Sequence, residues 1–464
     1  MSRTAILTAD LGYGDAGKGS IVDYLVRQTA KPIIVRYNGG PQAAHNVVTA
    51  DGRHHTFSQF GSGSFVSGVR THLSRSMLIN PLACFKEAAH LRSVGVHDIW
   101  LRTTFDEEAT VVTPFHMAMN QLRETARGEG RHGSCGQGVG ETRALQKARP
   151  MLTIRMQDLS RGDQLRWKLR LIQEEFRTQA VSLRKEVPPS QTILQALDLL
   201  HDRFVVEELV RAYGQFLELA RVTDVEHLAR LAGVHESLIF EGAQGVLLDE
   251  KYGFHPHTTW SDTTFRHALD VLENIGYDGN IVRLGLLRGY AVRHGVGPFV
   301  TEDIALGQDL PDEHNVTNRW QGDFRVGYPD LVITRYAIDV LGGVDELAVT
   351  MLDRMSQHSK WRIATGYQLA ATANESDCFE LDPKGVARRI KFQTAKDLVR
   401  QEGITKALFT SKSVYTELAT PSGPGRIESD GDVRTYLDLL SSQLGIPITI
   451  TSFGPTASDK RRLV

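Results

Sequence analysis

The sequence predicts an α/β protein with a P-loop-like, mainly parallel central sheet flanked by helices, and a helical subdomain. Three observations carry that expectation. Apolar strand patterns recur along the chain with helical stretches between them, the alternation that builds parallel sheets. Polar, glycine-rich segments follow four of those patterns, where an open α/β sheet gathers its ligands. The first of them, Gly12-Tyr13-Gly14-Asp15-Ala16-Gly17-Lys18-Gly19-Ser20, joins a strand to a helix. Its glycines let backbone N–H groups converge on an anion, and the helix N-terminus adds a favourable dipole.

Ala5-Ile6-Leu7 reads as the first buried strand, and Ile21, Val22, Tyr24 and Leu25 as the apolar face of the helix after the loop. A second strand over 32–37 runs into Asn38-Gly39-Gly40-Pro41, and 81–91 reads as a helix with a proline near its start. Glycines with almost no apolar residues over 128–140 mark a functional loop. Residues 160–232 read as helical, with Pro188-Pro189 as a break and Leu209, Tyr213, Phe216 and Ala220 as a core stripe. Strand patterns resume at Leu238-Ile239-Phe240, over 281–284, at Leu347-Ala348-Val349 and over 446–450.

A net charge of −2 gives no global electrostatic case for nucleic acid or an acidic membrane surface. Cys84, Cys135 and Cys378 lie far apart with no C-x-x-C, which argues against a disulfide framework or structural zinc. The start of the chain runs directly into a strand, and no apolar run is long enough for a membrane span, so the expectation is a cytoplasmic protein.

The first loop fits G-x-x-x-x-G-K, yet Gly19 stands where a Mg²⁺-binding Ser or Thr belongs. Asp15 either hydrogen-bonds its own turn or replaces that hydroxyl as a metal ligand or base. The other three segments are 39–46, Glu241-Gly242-Ala243-Gln244-Gly245 and Ser452-Phe453-Gly454-Pro455. His45 has two readings, a satisfied core histidine or a general acid beside transferred phosphate. Gln244, between small residues, offers an amide to orient a substrate oxygen.

In this spacing the chain resembles the adenylosuccinate synthetase family. The family's first loop, G-D-E-G-K-G-K-I-V-D, appears here as Gly14-Asp15-Ala16-Gly17-Lys18-Gly19-Ser20-Ile21-Val22-Asp23. R-Y-x-G-G-x-N-A-G-H is matched from Arg36 to His45, F-E-G-A-Q-G-x-L-L-D from Phe240 to Asp249, G-P-F-x-T-E from Gly297 to Glu302, and the closing G-P motif from Gly445 to Pro455. Five motifs in order imply one family domain over 1–464, with the helical subdomain 160–232 inside it.

The resemblance implies a purine-synthesis ligase that condenses inosine monophosphate (IMP) with L-aspartate, using GTP and Mg²⁺. Asp15 would take the N1 proton and bind the metal with Ala44. His45 would stabilise the transferred γ-phosphate. Lys18, with Gly14, Ala16, Gly17, Gly19 and Ala44, would hold the nucleotide. Gln244 would contact the purine near O6. Asn38, Ser134, Cys135 and Thr259 would bind the substrate nucleotide, with Arg149 donated across a homodimer interface. Ser452, Gly454, Pro455 and Asp353 would form the GTP base pocket.

Several positions depart from the family pattern. The arginine-rich loop that grips aspartate is replaced by residues 315–327, in which Arg319 and Arg325 remain as anion contacts. K-L-D becomes Met351-Leu352-Asp353, T-T-G becomes Ser134-Cys135-Gly136, and Ala16 replaces a glutamate. Phe453-Gly454-Pro455-Thr456 is closer to phage relatives that act on deoxyguanylate, whereas the retained Asp15 favours a 6-oxopurine without a 2-amino group. The alternatives are the same chemistry on another purine or amino donor, and a nucleotide-binding paralogue without activity.

Overall fold

The computed structural model describes residues 3–128, 133–184, 190–312, 322–357, 361–370, 376–418 and 427–463. A ten-stranded sheet runs through it. In chain order its strands are β1 (Thr4–Asp10), β2 (Pro32–Arg36), β3 (Arg70–Leu73), β4 (Thr103–Asp106), β5 (Arg221–Thr223), β6 (Ser237–Gly245), β7 (Asn280–Arg288), β8 (Glu346–Thr350), β9 (Ile448–Ser452) and β10 (Lys460–Arg462). Across the sheet the order is β10-β9-β8-β7-β1-β6-β2-β3-β4-β5. Neighbours are parallel except β9 and β10, which pair antiparallel.

The central strands are apolar at successive positions because both faces of the sheet are covered. Ala5, Leu7, Ile33, Val35, Leu238 and Phe240 share one core with residues of the helix Leu331–Leu341. Ile6, Ile34 and Ile239 pack on the opposite face against Ile21, Val22 and Leu25 of α1 (Lys18–Gln28). A third core joins Phe105 to Phe115, Tyr213 and Phe216, under the helices Pro114–Ala126, Gly162–Leu183, Gln191–His201 and Val205–Leu219.

Most expected elements are present, with shifts that matter for the site. The helix predicted over 81–91 spans Pro81–Ser93, and Asn80 caps it by accepting from Leu82 N and Ala83 N. The stretch 160–232 also contributes β5, and its last helix continues to Val234. Pro188 and Pro189 lie outside the described residues. Three boundaries are corrected. Glu241–Gly245, expected as a loop, continues β6; His45, expected in a loop, opens the strand His45–Val48, which pairs with His54–Phe57. The strand expected over 446–450 spans Ile448–Ser452, and β10 follows it. Polarity and glycine suggested loops, whereas parallel pairing with β1 carries β6 through Gly245.

Topology accounts for the site. The chain builds β1 to β5 outward, then returns to insert β6 between β1 and β2, bringing its carboxyl end against the first loop. A Cβ on Gly245 would lie 2.1 Å from Gly12 O and 2.3 Å from Gly14 N. Gly245→Ala is therefore expected to destabilise the protein by about 1–3 kcal/mol through overpacking against backbone that cannot yield. Gly214 lies inside the helix Val205–Leu219, and a Cβ added there would meet nothing within 4 Å. Gly214→Ala is expected to stabilise by up to about 1 kcal/mol through helix propensity. Urea unfolding of both variants checks the pair.

Candidate active site

The first loop is closed around a carboxylate. Asp10, at the end of β1, accepts from Gly12 N at 2.9 Å, Ala16 N at 2.9 Å and Lys18 Nζ at 3.0 Å. Lys18 and Asp10 are both buried, so the lysine expected to grip phosphate is held by the protein's own anion in this structure. Gly14 and Gly17 adopt φ of 109° and 79°, and Gly17 leaves the first turn of α1 without a side-chain cap. Those free N–H groups suit an anion.

Asp15 sits in the same loop with φ 62°, a left-handed conformation that is unfavourable for a residue with a side chain. Arg288, at the carboxyl end of β7, donates to Asp15 O at 3.1 Å and to Tyr290 Oη at 2.6 Å. Burial raises the Asp15 carboxyl above its ordinary range, while Arg288 and Lys18 oppose that shift.

Packing explains Gly19. A Cβ there would meet His45 Cβ at 2.8 Å and Asn46 O at 3.1 Å, so a serine or threonine would collide with the strand that carries the histidine. His45 Nδ1 lies 2.5 Å from Glu241 Oε1, and Glu241 also accepts from Ser62 N at 3.0 Å and from Ser62 Oγ. Burial alone would raise Glu241, but Arg36, His45 and Ser62 together pull its carboxyl down to about 2. Burial lowers His45, and Glu241 partly restores it. The pair therefore rests as carboxylate and neutral imidazole, with Nδ1–H donated to Glu241. An arriving phosphate anion favours protonation of the other ring nitrogen.

Gln244, at φ 65°, has a buried Oε1 without a partner. Asn38 binds backbone with both ends of its amide, accepting from Ala243 N at 2.7 Å and donating to Asp262 O at 2.9 Å. That bridge links β2 and β6 to the segment carrying Thr259, whose N donates to Leu248 O. Ser134 Oγ accepts from Asn120 at 2.9 Å, and burial pushes the Cys135 thiol up to about 11. Arg149 is 61% exposed and pairs with Glu175 at 3.4 Å.

At the other end, Asp353 follows β8 with a buried Oδ1 that has no partner, and burial raises its carboxyl. Ser452 closes β9, and Gly454 and Pro455 form the turn into β10. Arg325 is occupied by Glu302 at 2.7 Å, Gly295 O at 3.0 Å and Gly297 O at 2.8 Å. Arg319 lies outside the described residues. Ala44 is exposed beside His45.

The structure thus brings Asp15, Lys18, His45 and Gln244 to neighbouring strand ends, and sequence reasoning missed four residues among them. Asp10 and Arg288 close apolar strands, a local feature that shows the residue but not its partner, whereas Glu241 lies within β6 and Lys460 opens β10. Among the described residues no group of three or more His, Cys, Asp or Glu side chains could hold a metal ion. The donor set still fits Mg²⁺, which takes one or two carboxylates and completes its shell with phosphates and water.

Comparison with known proteins identifies the family. The family model described as adenylosuccinate synthetase matches residues 9–460. The adenylosuccinate synthetase of Chlorobium limicola is 29% identical over 465 residues, covering 98% of this chain and 96% of its own. That of Vibrio parahaemolyticus is 30% identical over 463 residues, covering 96% and 95%. The fully ligated Plasmodium falciparum adenylosuccinate synthetase shares the fold with a TM-score of 0.76 at 20% identity, covering all of both chains. A cyanophage S-2L succinoaminodeoxyadenylate synthetase, bound to dGMP and dATP as an energy donor, superposes with a TM-score of 0.56 at 16% identity, over 100% of this chain and 96% of its own. With its family model matched over nearly its whole length, the chain belongs to the adenylosuccinate synthetase family and is a ligase that forms a C–N bond.

Proposed function

We propose that this protein condenses IMP with L-aspartate, using GTP, to give adenylosuccinate, GDP and phosphate through 6-phosphoryl-IMP, a step of AMP biosynthesis. One observation supports it above the others: the Glu241-held His45 lies against the phosphate loop that carries Asp15 and Lys18. In the first half-reaction Asp15 takes the purine N1 proton and O6 attacks the γ-phosphorus. The bond from that phosphorus to the β,γ-bridging oxygen breaks, and GDP leaves. His45, protonated at Nε2 and balanced by Glu241, carries the charge of the transferred group; Lys18 turns from Asp10 toward phosphate. In the second half-reaction the aspartate amine attacks C6, phosphate departs with O6, and the amine loses its proton. Mg²⁺, when bound, supplies neutralising charge to the nucleotide phosphates. Such transfer depends chiefly on positioning and electrostatics.

Gln244's unpartnered Oε1 suits a contact at the purine edge. Exposed Arg149, next to Met151 at 77% exposure, supports a homodimer in which the arginine completes the neighbouring site. A second reading, the same chemistry on another purine or amino donor, is favoured by Arg325, whose guanidinium is already committed to Glu302 and two carbonyls.

Purified protein offered IMP, dGMP or XMP with GTP or ATP and a panel of amino donors is expected to release phosphate with IMP, GTP and aspartate. Turnover of dGMP but not IMP would select the second reading. Asp15→Asn is expected to lower kcat by about 10²–10⁴-fold while GTP binding is retained. Near-normal turnover in that variant would show that Asp15 is not the base.

Glu241→Gln is expected to lower kcat by roughly 10²-fold, because the imidazolium loses its counter-charge. The same change bears on acid stability. The Glu241 carboxyl is depressed in the folded protein, so its stabilisation is full above the unfolded value and is lost as pH falls toward 2. Urea unfolding should therefore show wild type ahead of Glu241→Gln at pH 7, with the gap shrinking below pH 4.5.

A further inference from the structure

The turn after β9 is fastened by a buried lysine. Lys460, 6% exposed at the start of β10, donates to Gly454 O at 2.9 Å and to Thr456 O at 2.8 Å. Asp459 tightens the same turn, accepting from Thr456 N at 2.7 Å and Thr456 Oγ1 at 2.8 Å. A Cβ on Gly454 would lie 2.7 Å from the Asp459 carboxylate, so the turn has no slack. Across it stands Asp353, whose buried Oδ1 has no partner, an acceptor available to a ligand N–H. The ammonium fixes two carbonyls, and with them the backbone from Gly454 to Thr456, opposite a carboxylate with one unpartnered oxygen.

We infer that Lys460 is the positioning residue of the nucleotide-base pocket, holding the Gly454–Thr456 turn at the spacing that lets a purine base reach Asp353. The inference rests on the reading of this turn and Asp353 as the base pocket of the energy-donating nucleotide. Its charge can be switched near neutral pH. Burial lowers the Lys460 ammonium to about 8, opposed by Asp459 of its own turn, Asp23 of α1 and Asp353 beyond β8. Asp23 is itself paired with Arg27 at 2.9 Å. Below pH 8 the ammonium grips both carbonyls with charge-assisted bonds, and above it the neutral amine holds them less tightly.

Steady-state kinetics of the full-length enzyme, with GTP varied at saturating co-substrates from pH 7 to 8.5, tests this directly. Lys460→Met is expected to raise the GTP KM about tenfold at pH 7, with kcat changed less than about twofold. Wild-type KM should climb across the range, whereas Lys460→Arg, always charged, should keep most of the affinity and flatten the climb. Asp353→Asn separates the two levels of the claim. If it raises KM while Lys460→Met leaves KM unchanged or lowers kcat alone, the lysine assignment is overturned and the pocket stands. If neither variant moves KM, the base-pocket reading falls and the inference falls with it. An equal pH climb in wild type and Lys460→Arg also overturns it.

Discussion

The candidate active site depends on one constraint, the passage of β6 between β1 and β2. That strand has to approach the first loop so closely that Gly245 admits no side chain. The same strand carries Glu241 to His45 and leaves Gln244 in a left-handed conformation near its end. Shifting β6 by one residue would exchange its faces and remove Glu241 from the histidine. Asn38 reinforces the placement by bridging Ala243 to the backbone of Asp262. Fold and chemistry meet in a few backbone contacts rather than in a large surface.

A second theme is charge held in buried pairs. Lys18 faces Asp10, His45 faces Glu241, and Arg288 secures the loop at Asp15 while lying 3.6 Å from Asp312. Lys18, Arg288 and the neutral His45 each have a protein acceptor, so the protein's own polar partners organise the loop. Preorganisation of this kind sets the charges around the loop before a ligand arrives.

The parallel sheet and the strand–turn–helix form of the first loop were legible in the sequence because both follow from local pattern. Apolar runs such as Ile33-Ile34-Val35 and Leu238-Ile239-Phe240 announce strands buried on both faces, and Gly14, Gly17 and Lys18 announce an anion cradle. Local pattern misjudged Glu241–Gly245, where polarity suggested a loop but pairing with β1 sustains the strand. It gave no sign of Asp10 or Arg288 as partners of the loop, since their contacts join residues that only the folded sheet brings together. Nor could it show that Gly19 is required by His45 rather than being a defect in a phosphate-binding motif.

The central claim is that the purine oxygen, activated at this loop, becomes the phosphate oxygen. Its most direct measurement is mass analysis of the phosphate released from IMP labelled with ¹⁸O at C6, in the presence of GTP and aspartate. Transfer of one label into each phosphate is the predicted result. Unlabelled phosphate formed alongside adenylosuccinate would contradict the account.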